Sequence, residues 1–511
     1  MVSGRLDWRP VRRLLPLLLL LAVLAPAQAA ARDFPRDFLW GTAIAAFQTE
    51  AGGKPSHADR SSDWWVWSHD RENIATGRVS GDRVERGPGH WRLFRQDARL
   101  ARDRLGSNAF RISIEWSRLF PRGPHRLNRA AARHYAAELR FIRSLGMRPM
   151  VTLNHFTLPR WLHDPIAVRR AFAGVGPDDP PPAVQRGGWL NRRTVRAFGD
   201  FAGWAARRYG KLVDLWVTVN EPMVVAVNGY VNVPGAFAGW FPPGVYSFPA
   251  AIRAVRNLAD ANGLAYDAVH RHDSRARVGP VQNMIAFTPS DPASAADRRG
   301  ARHADYVFNR VFLNAAVRGE VDTNVDGRIE PGERRRDLRG RADFIGVNYY
   351  FRSRVAGLPA PASSTIPLFD FLPTNTYRWA LNPTAPPCPT TCTDFGAEVY
   401  PQGFRTVLRT AGRYRLPVYV TENGLADADD DMRRGYLLDH LRVLRGVMRD
   451  RLARVKGYLA WSLTDNFEWS AGYYPKFGFF SFDPRTLRRH ERPSARLFHR
   501  ITRFGTLPAG Q

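Results

Sequence analysis

Two glutamates carry the sharpest chemical signal in this chain. Glu221 lies in TVNEP (218–222) and Glu422 in VTENG (420–424), and each closes a short run of apolar and β-branched residues. Two carboxylates on opposite walls of one cleft are the minimum for cleaving an acetal: one protonates the departing oxygen while the other meets the cationic carbon. The pair is far apart in sequence, so the fold must bring it together. Other polar residues stand at the C-terminal ends of similar runs. They are Gln48, Arg111, Glu115, Asn154 with His155, Asn220, Asn348, Tyr350, Asn423, and Asp465 with Asn466.

The runs themselves number eight, at 38–48, 109–116, 147–156, 215–220, 277–287, 342–350, 417–421 and 455–463. Amphipathic stretches with apolar residues at helical spacing separate them, as at 89–105, 129–145, 193–209, 249–271 and 432–452. Near-continuous apolar strands alternating with helices predict an α/β fold, a single (β/α)8 TIM barrel with its strand ends forming one rim. A doubly wound open sheet is the competing architecture. It would place a glycine-rich phosphate loop after an early strand, and no G-x-G-x-x-G or Walker sequence occurs. Long loops at 318–341 and 356–400 read as insertions in one barrel spanning 33–507, not as separate domains.

Composition narrows the remaining classes. Of 511 residues 44% are hydrophobic and 24% charged, an ordinary foldable balance. Two cysteines are too few for a disulfide framework or a four-cysteine zinc module. The net charge of +28 suits association with anionic surfaces. No compact basic run with interleaved aromatics occurs, so no nucleic-acid partner is expected. Arg9, Arg12 and Arg13, the apolar run from Leu14 to Ala25 and Ala27-Gln28-Ala29 form a secretory signal pattern over 1–29. That run is too short to span a bilayer and no later one is long enough, so the body is expected to be secreted without a stable membrane span. Cys388 and Cys392 would pair in an oxidising exterior.

At its motifs the sequence resembles glycoside hydrolase family 1, the β-glucosidase and β-galactosidase family. The matching segments are FLWGTAIAAFQTE (38–50), FRISIEWSRLFP (110–121), NHFTLPRWL (154–162), TVNEP, DFIGVNYY (343–350), VTENG and WSLTDNFEWSAGYYPKFG (461–478). They cover nearly all of 34–500 in the family's order, and NHFTLPRWLHDP looks most like the archaeal, broad-specificity branch. The resemblance implies a retaining β-glycosidase acting on the terminal, non-phosphorylated sugar of a small β-glycoside or oligosaccharide, with no cofactor for catalysis. It assigns Glu422 as nucleophile and Glu221 as acid/base, supported by Arg111, Asn220, Asn348 and Tyr350. It gives sugar selection to Gln48, His155, Trp461, Glu468 and Trp469. Departures at Thr49, Ala51, Phe156, Ala397 and Lys476 are peripheral; they blur the aglycone side and the choice between glucose, galactose and fucose and leave the catalytic pair untouched. A transglycosylase of the same fold is an alternative outcome. A non-catalytic carbohydrate-binding relative is another, although such proteins usually lack one of the two glutamates.

Residues 322–333, DTNVDGRIEPGE, also fit the twelve-residue calcium-loop pattern. Asp322, Asn324, Asp326, Arg328 (through its carbonyl), Glu330 (through water) and Glu333 would supply a structural Ca2+ site away from the chemistry.

Overall fold

The computed structural model describes residues 1–4, 32–231, 239–358, 370–380 and 382–508. Nearly all of the expected signal segment 1–29 therefore lies outside the described residues.

Eight parallel strands close a barrel: β1 (Leu39–Ala43), β2 (Ala109–Ser113), β3 (Arg148–Asn154), β4 (Leu215–Asn220), β5 (Arg277–Asn283), β6 (Ile345–Tyr349), β7 (Pro417–Asn423) and β8 (Arg454–Trp461). Each strand pairs with its neighbour in sequence, and β8 returns to β1 in the register Leu39–Gly457 to Ala43–Trp461. The strands are buried along almost their whole length, as the unbroken apolar runs require of a sheet covered on both faces. Leu39, Met150, Leu215, Val281, Phe344 and Leu459 form one interior cluster. Close packing leaves no room for a side chain at Gly279, whose Cβ would fall 2.2 Å from the Phe344 carbonyl oxygen.

Helices occupy the predicted intervals. Arg129–Ser144 starts at Asn128, whose side chain accepts from the Ala131 N–H, and buries Ala131, Tyr135, Leu139 and Ile142 along one stripe. Phe248–His272 starts in the same way from Ser247, with Pro249 in its first turn. Among the described residues no helix is long and apolar enough to cross a membrane.

The run 277–287 does not continue as one strand. β5 stops at Asn283, and Ala286–Pro289 leaves the barrel to pair with Arg352–Gly357, which in turn pairs with Phe371–Pro373. This three-stranded sheet packs on the helix Ala295–Ala304 and gives the second insertion a rigid base. Farther along that insertion Cys388 and Cys392 are joined by a disulfide. The two ends of the fold meet: the Asp33 N–H donates to the Gly505 carbonyl at 2.9 Å, and the Leu507 N–H to the Asp33 carboxylate at 2.7 Å. Asp33 precedes β1, so this junction lies at the N-terminal end of the barrel, opposite the rim.

Candidate active site

Glu422 stands near the end of β7 and its two oxygens are held from different sides. Arg111 on β2 donates from Nη1 to Oε1 at 2.5 Å, and the Tyr350 hydroxyl donates to Oε2 at 2.5 Å. The guanidinium is itself fixed. Its Nε donates to Thr152 Oγ1 on β3 at 3.1 Å and its Nη2 to Asn220 Oδ1 on β4 at 2.6 Å. A buried arginine spread over four strands in this way is a rigid counter-charge, since few of its donors are free to turn elsewhere.

Glu221 immediately follows β4. It adopts the left-handed backbone conformation (φ +50°) and leads into the helix Pro222–Tyr230. That region is costly for a residue with a Cβ, on the order of 1–3 kcal/mol, and persists where surroundings enforce it. Here the Glu221 N–H donates to the Val281 carbonyl at 2.8 Å, and proline begins the helix. The carboxylate accepts from two amides, Asn348 Nδ2 at 2.6 Å and Asn283 Nδ2 at 3.2 Å. Asn348 Nδ2 also reaches Asn220 Oδ1 at 3.2 Å, which links the settings of the two glutamates.

These partners set the proton inventory. Burial pushes the Glu221 carboxyl up to about 8, and the nearby charge of Glu422 adds to the effect; its amide bonds act weakly the other way. Burial also raises Glu422, but the Arg111 charge and the Tyr350 hydroxyl oppose that rise. A buried cation thus counters protonation of Glu422, whereas Glu221 has only neutral amides beside it. Desolvation, ahead of the partner's charge, is the main cause at Glu221.

Around the pair lies a cavity of about 410 Å³ that Gln48, His155, Glu221, Tyr350, Glu422, Trp461, Glu468 and Trp469 all help to line. Gln48 Nε2 donates to Asn466 Oδ1 at 2.8 Å and to Glu468 Oε2 at 3.2 Å, while its Oε1 is buried without a partner. His155 stacks between Trp461 and Trp469, with ring centroids 6.1 and 5.9 Å away. Its Nε2 meets Asn220 Nδ2 at 3.2 Å, its Nδ1 is buried unpaired, and desolvation holds its pKa well below the ordinary value, so the ring is neutral. Buried polar atoms rarely lack partners. Two in one cavity, beside indole faces, match the needs of a sugar with many hydroxyls and an apolar C–H face.

The glycosyl hydrolase family 1 model matches residues 30–167 and 178–505. The chain belongs to glycosyl hydrolase family 1. Within this family it is similar to a β-galactosidase of Pyrococcus woesei, at 36% identity over 92% of this chain and 96% of the relative, and to a β-galactosidase of Sulfolobus acidocaldarius, at 35% over 93% and 96%. The solved β-glycosidase of Thermosphaera aggregans superposes with a TM-score of 0.79 at 33% identity, covering 94% of this chain and 98% of that one. A β-glucosidase A of Thermotoga maritima is 29% identical over 92% of this chain and 98% of the relative. The enzyme is thus an O-glycoside hydrolase, a retaining β-glycosidase of family 1 on its archaeal branch.

Not every polar strand end joins the family 1 cavity. Glu115 accepts from the Ser117 and Thr157 hydroxyls, at 3.3 and 2.8 Å, within a buried cluster that includes Asp59 and Glu50. Asp465 is paired with Arg492 at 2.9 Å, and Asn154 donates to the Thr157 carbonyl. Trp116 stacks on Phe201 and Trp161 donates to the Phe120 carbonyl, so both are packing residues, whereas Trp240 lines the cavity. One participant escaped the sequence reading: Asn283. The apolar MIAF that follows it hides the end of β5, and only the break before Ala286 would have signalled a rim position.

In the 322–333 loop, Gly327 takes φ +84° and donates its N–H to Asp322 Oδ2 at 2.9 Å, and Arg328 N–H caps Asp326. The Glu333 carboxylate is occupied by the Thr323 N–H and hydroxyl (2.6 and 2.5 Å) and by the Glu330 N–H (3.0 Å). Asp322 also accepts from the Tyr306 hydroxyl at 2.6 Å.

Proposed function

We propose that this enzyme removes a terminal, non-phosphorylated sugar, glucose foremost and galactose or fucose as well, from β-glycosides, with Glu422 as nucleophile and Glu221 as acid/base. The observation that carries the assignment is the asymmetry of their partners: a buried guanidinium and a phenol hydroxyl on Glu422, two neutral amides on Glu221.

In the first step a Glu422 oxygen bonds to the anomeric carbon as the glycosidic C–O bond breaks, and Glu221 gives its proton to the departing oxygen. Glu422 is then a glycosyl ester and no longer an anion, so one of the two causes raising the Glu221 pKa is gone. Glu221, now ionised, takes a proton from water as that water attacks the same carbon, and the Glu422 carboxylate leaves. Two inversions restore the β configuration. Asn220, held against Arg111, faces the 2-hydroxyl, where a hydrogen bond strengthens as charge develops. Gln48, His155 and Glu468 take the outer hydroxyls, over the Trp461 and Trp469 faces. A sugar or alcohol replacing the water would give transglycosylation by the same steps. Retention of both glutamates favours this over a merely sugar-binding role.

Burial and the charge of Glu422 push Glu468 up to about 8, so at neutral pH it is a neutral donor rather than a repelling charge. A 6-phosphate is disfavoured for a different reason. It would be desolvated close to Glu422, and Arg352, the cation lining this cavity among the described residues, is bound to Glu398. A panel of 4-nitrophenyl β-glucoside, β-galactoside, β-fucoside and 6-phospho-β-glucoside tests the reading. The first three are expected to be hydrolysed, and the phosphorylated one to lag by roughly a hundredfold or more in kcat/KM. Preference for the phosphoglycoside would refute it.

We also propose export through the 1–29 segment, which the basic flank and small-residue site support, and contact of the arginine-rich body with anionic surfaces. For the 322–333 loop we propose a structural Ca2+. The glycine turn at Gly327 and the order of ligand types support it, and Glu333 would exchange its present donors for the ion. Adding a chelator is expected to lower Tm by several degrees, with recovery on Ca2+ and loss of the effect in Asp326→Ala. An unchanged Tm would remove this proposal.

A further inference from the structure

Charge is placed unevenly along the barrel axis. The segments that lead into β2 to β8 make up the underside, at 102–108, 143–148, 207–214, 271–277, 339–344, 413–416 and 449–456. In every one of them basic residues outnumber acidic ones. The rim is different. Acids match or outnumber bases after β1 (44–89), β4 (221–247), β6 (350–400) and β7 (424–432), where Asp427, Asp429, Asp430 and Asp431 face no base in sequence. The segments after β2 and β3 do carry exposed arginines, among them Arg122, Arg126, Arg160 and Arg170.

The basic side chains of the underside are available, and its acids are largely engaged. Arg277, Arg415, Arg454 and Lys456 are exposed and form no ion pair among the described residues. Asp214 is bound by Arg143 at 2.8 Å, and Asp450 by Arg405 and Arg449 at 2.8 and 3.0 Å. Asp343 accepts from the Tyr266 hydroxyl at 2.8 Å and the Val278 N–H at 2.9 Å. The cations also converge. Burial raises the Tyr419 phenol on β7, and the charges of Arg148 on β3 and Arg277 on β5 both act against that rise. Like charges gathered on one face sum to a positive potential that attracts and orients the molecule toward an anionic surface.

One apolar ring stands among these cations. Phe504 ends the last helix, Pro493–Phe504, beside the Gly505 that binds Asp33. It is 52% exposed, with the Arg503 guanidinium 5.5 Å from its ring centre. A hydrated acidic polymer offers such a ring no apolar contact. The boundary between headgroups and acyl chains accommodates an aromatic ring and its basic neighbours together.

We propose that the underside of the barrel docks on a bilayer rich in anionic phospholipid, with the catalytic rim turned to the solvent. This rests on the anionic-surface contact proposed above and deepens it by naming the face and the partner.

Co-sedimentation of the full chain with vesicles tests it. The vesicles are phosphatidylcholine mixed with phosphatidylglycerol, beside phosphatidylcholine alone. The mixed vesicles should bind more tightly, and raising the salt from about 0.1 M to about 1 M should release the enzyme as the screening length shortens. Reversing Arg277, Arg415, Arg454 and Lys456 together to Glu should weaken binding by roughly a hundredfold or more. The same reversal at Arg122, Arg126, Arg160 and Arg170 changes net charge identically and should cost less than about fivefold, since those groups lie away from the lipid. Hydrolysis of 4-nitrophenyl β-glucoside should be unchanged in the underside variant, which verifies its fold. If it does not fold, Gln at the same four positions should weaken binding about tenfold. Wild-type enzyme on vesicles should keep its KM.

Equal losses in the two variants, or a raised KM on vesicles, would overturn the choice of face and leave contact with anionic surfaces standing. Absence of wild-type binding to the mixed vesicles would strike both. Phe504→Ser should weaken vesicle binding about fivefold and leave binding to soluble poly-glutamate unchanged. Poly-glutamate binding as tight as vesicle binding would make the partner a hydrated polymer and refute the bilayer.

Discussion

Glu422→Ala is expected to lose on the order of 10⁴-fold or more in kcat on every β-glycoside, corresponding to about 5.5 kcal/mol or more of transition-state stabilisation. The covalent route disappears with the carboxylate, and the void beside Arg111 and Tyr350 becomes a binding place for a small anion. Azide supplied there attacks the anomeric carbon from the face Glu422 had used, while Glu221 still protonates the leaving oxygen. A single inversion then gives an α-glycosyl azide, which proton NMR identifies from the anomeric coupling. A β product, or a variant with undiminished activity, would move the nucleophile elsewhere.

Glu221→Ala is expected to divide substrates by leaving group. Alkyl glucosides need a proton on the departing oxygen and should slow by roughly 10³-fold, within the range that a positioned acid contributes. 2,4-Dinitrophenyl β-glucoside departs as a stable anion and should keep most of its glycosylation rate, with the ester then accumulating because no base remains to activate water. Azide should rescue this variant with a β-glycosyl product, the opposite configuration from the first case. The pH profile gives a second signature. With the free-enzyme carboxyl at about 8, the active protonated form is lost as pH rises through that value, so wild-type kcat/KM should fall on the alkaline side of pH 8. That limb should be absent from the variant on activated substrates. Its persistence there would mean that some other group titrates.

The barrel was legible because its physics is periodic. Unbroken apolar runs such as LWVTVN can only be strands buried on both faces, and the amphipathic stretches between them need one covered side. The meeting of Glu221 and Glu422 in one cavity was legible because a rim collects strand ends, whatever their separation in sequence. What stayed hidden depends on contacts that no local pattern encodes. Asn283 is concealed by an apolar continuation that departs into another sheet. Glu398 gives no sign in sequence that it will bind two arginines and a tyrosine hydroxyl at once. Glu115 stands at a strand end like the others, yet its carboxylate faces a separate buried cluster and not the substrate.

The meeting of Asp33 with Gly505 and Leu507 has a practical reach. Because residues 33 and 505–507 touch on the side away from the rim, a short bridge could join the barrel there and new termini could be opened elsewhere with little disturbance. Cargo, a surface tether or a partner enzyme joined directly next to residue 33 or residue 507 would start from the underside, away from substrate entry.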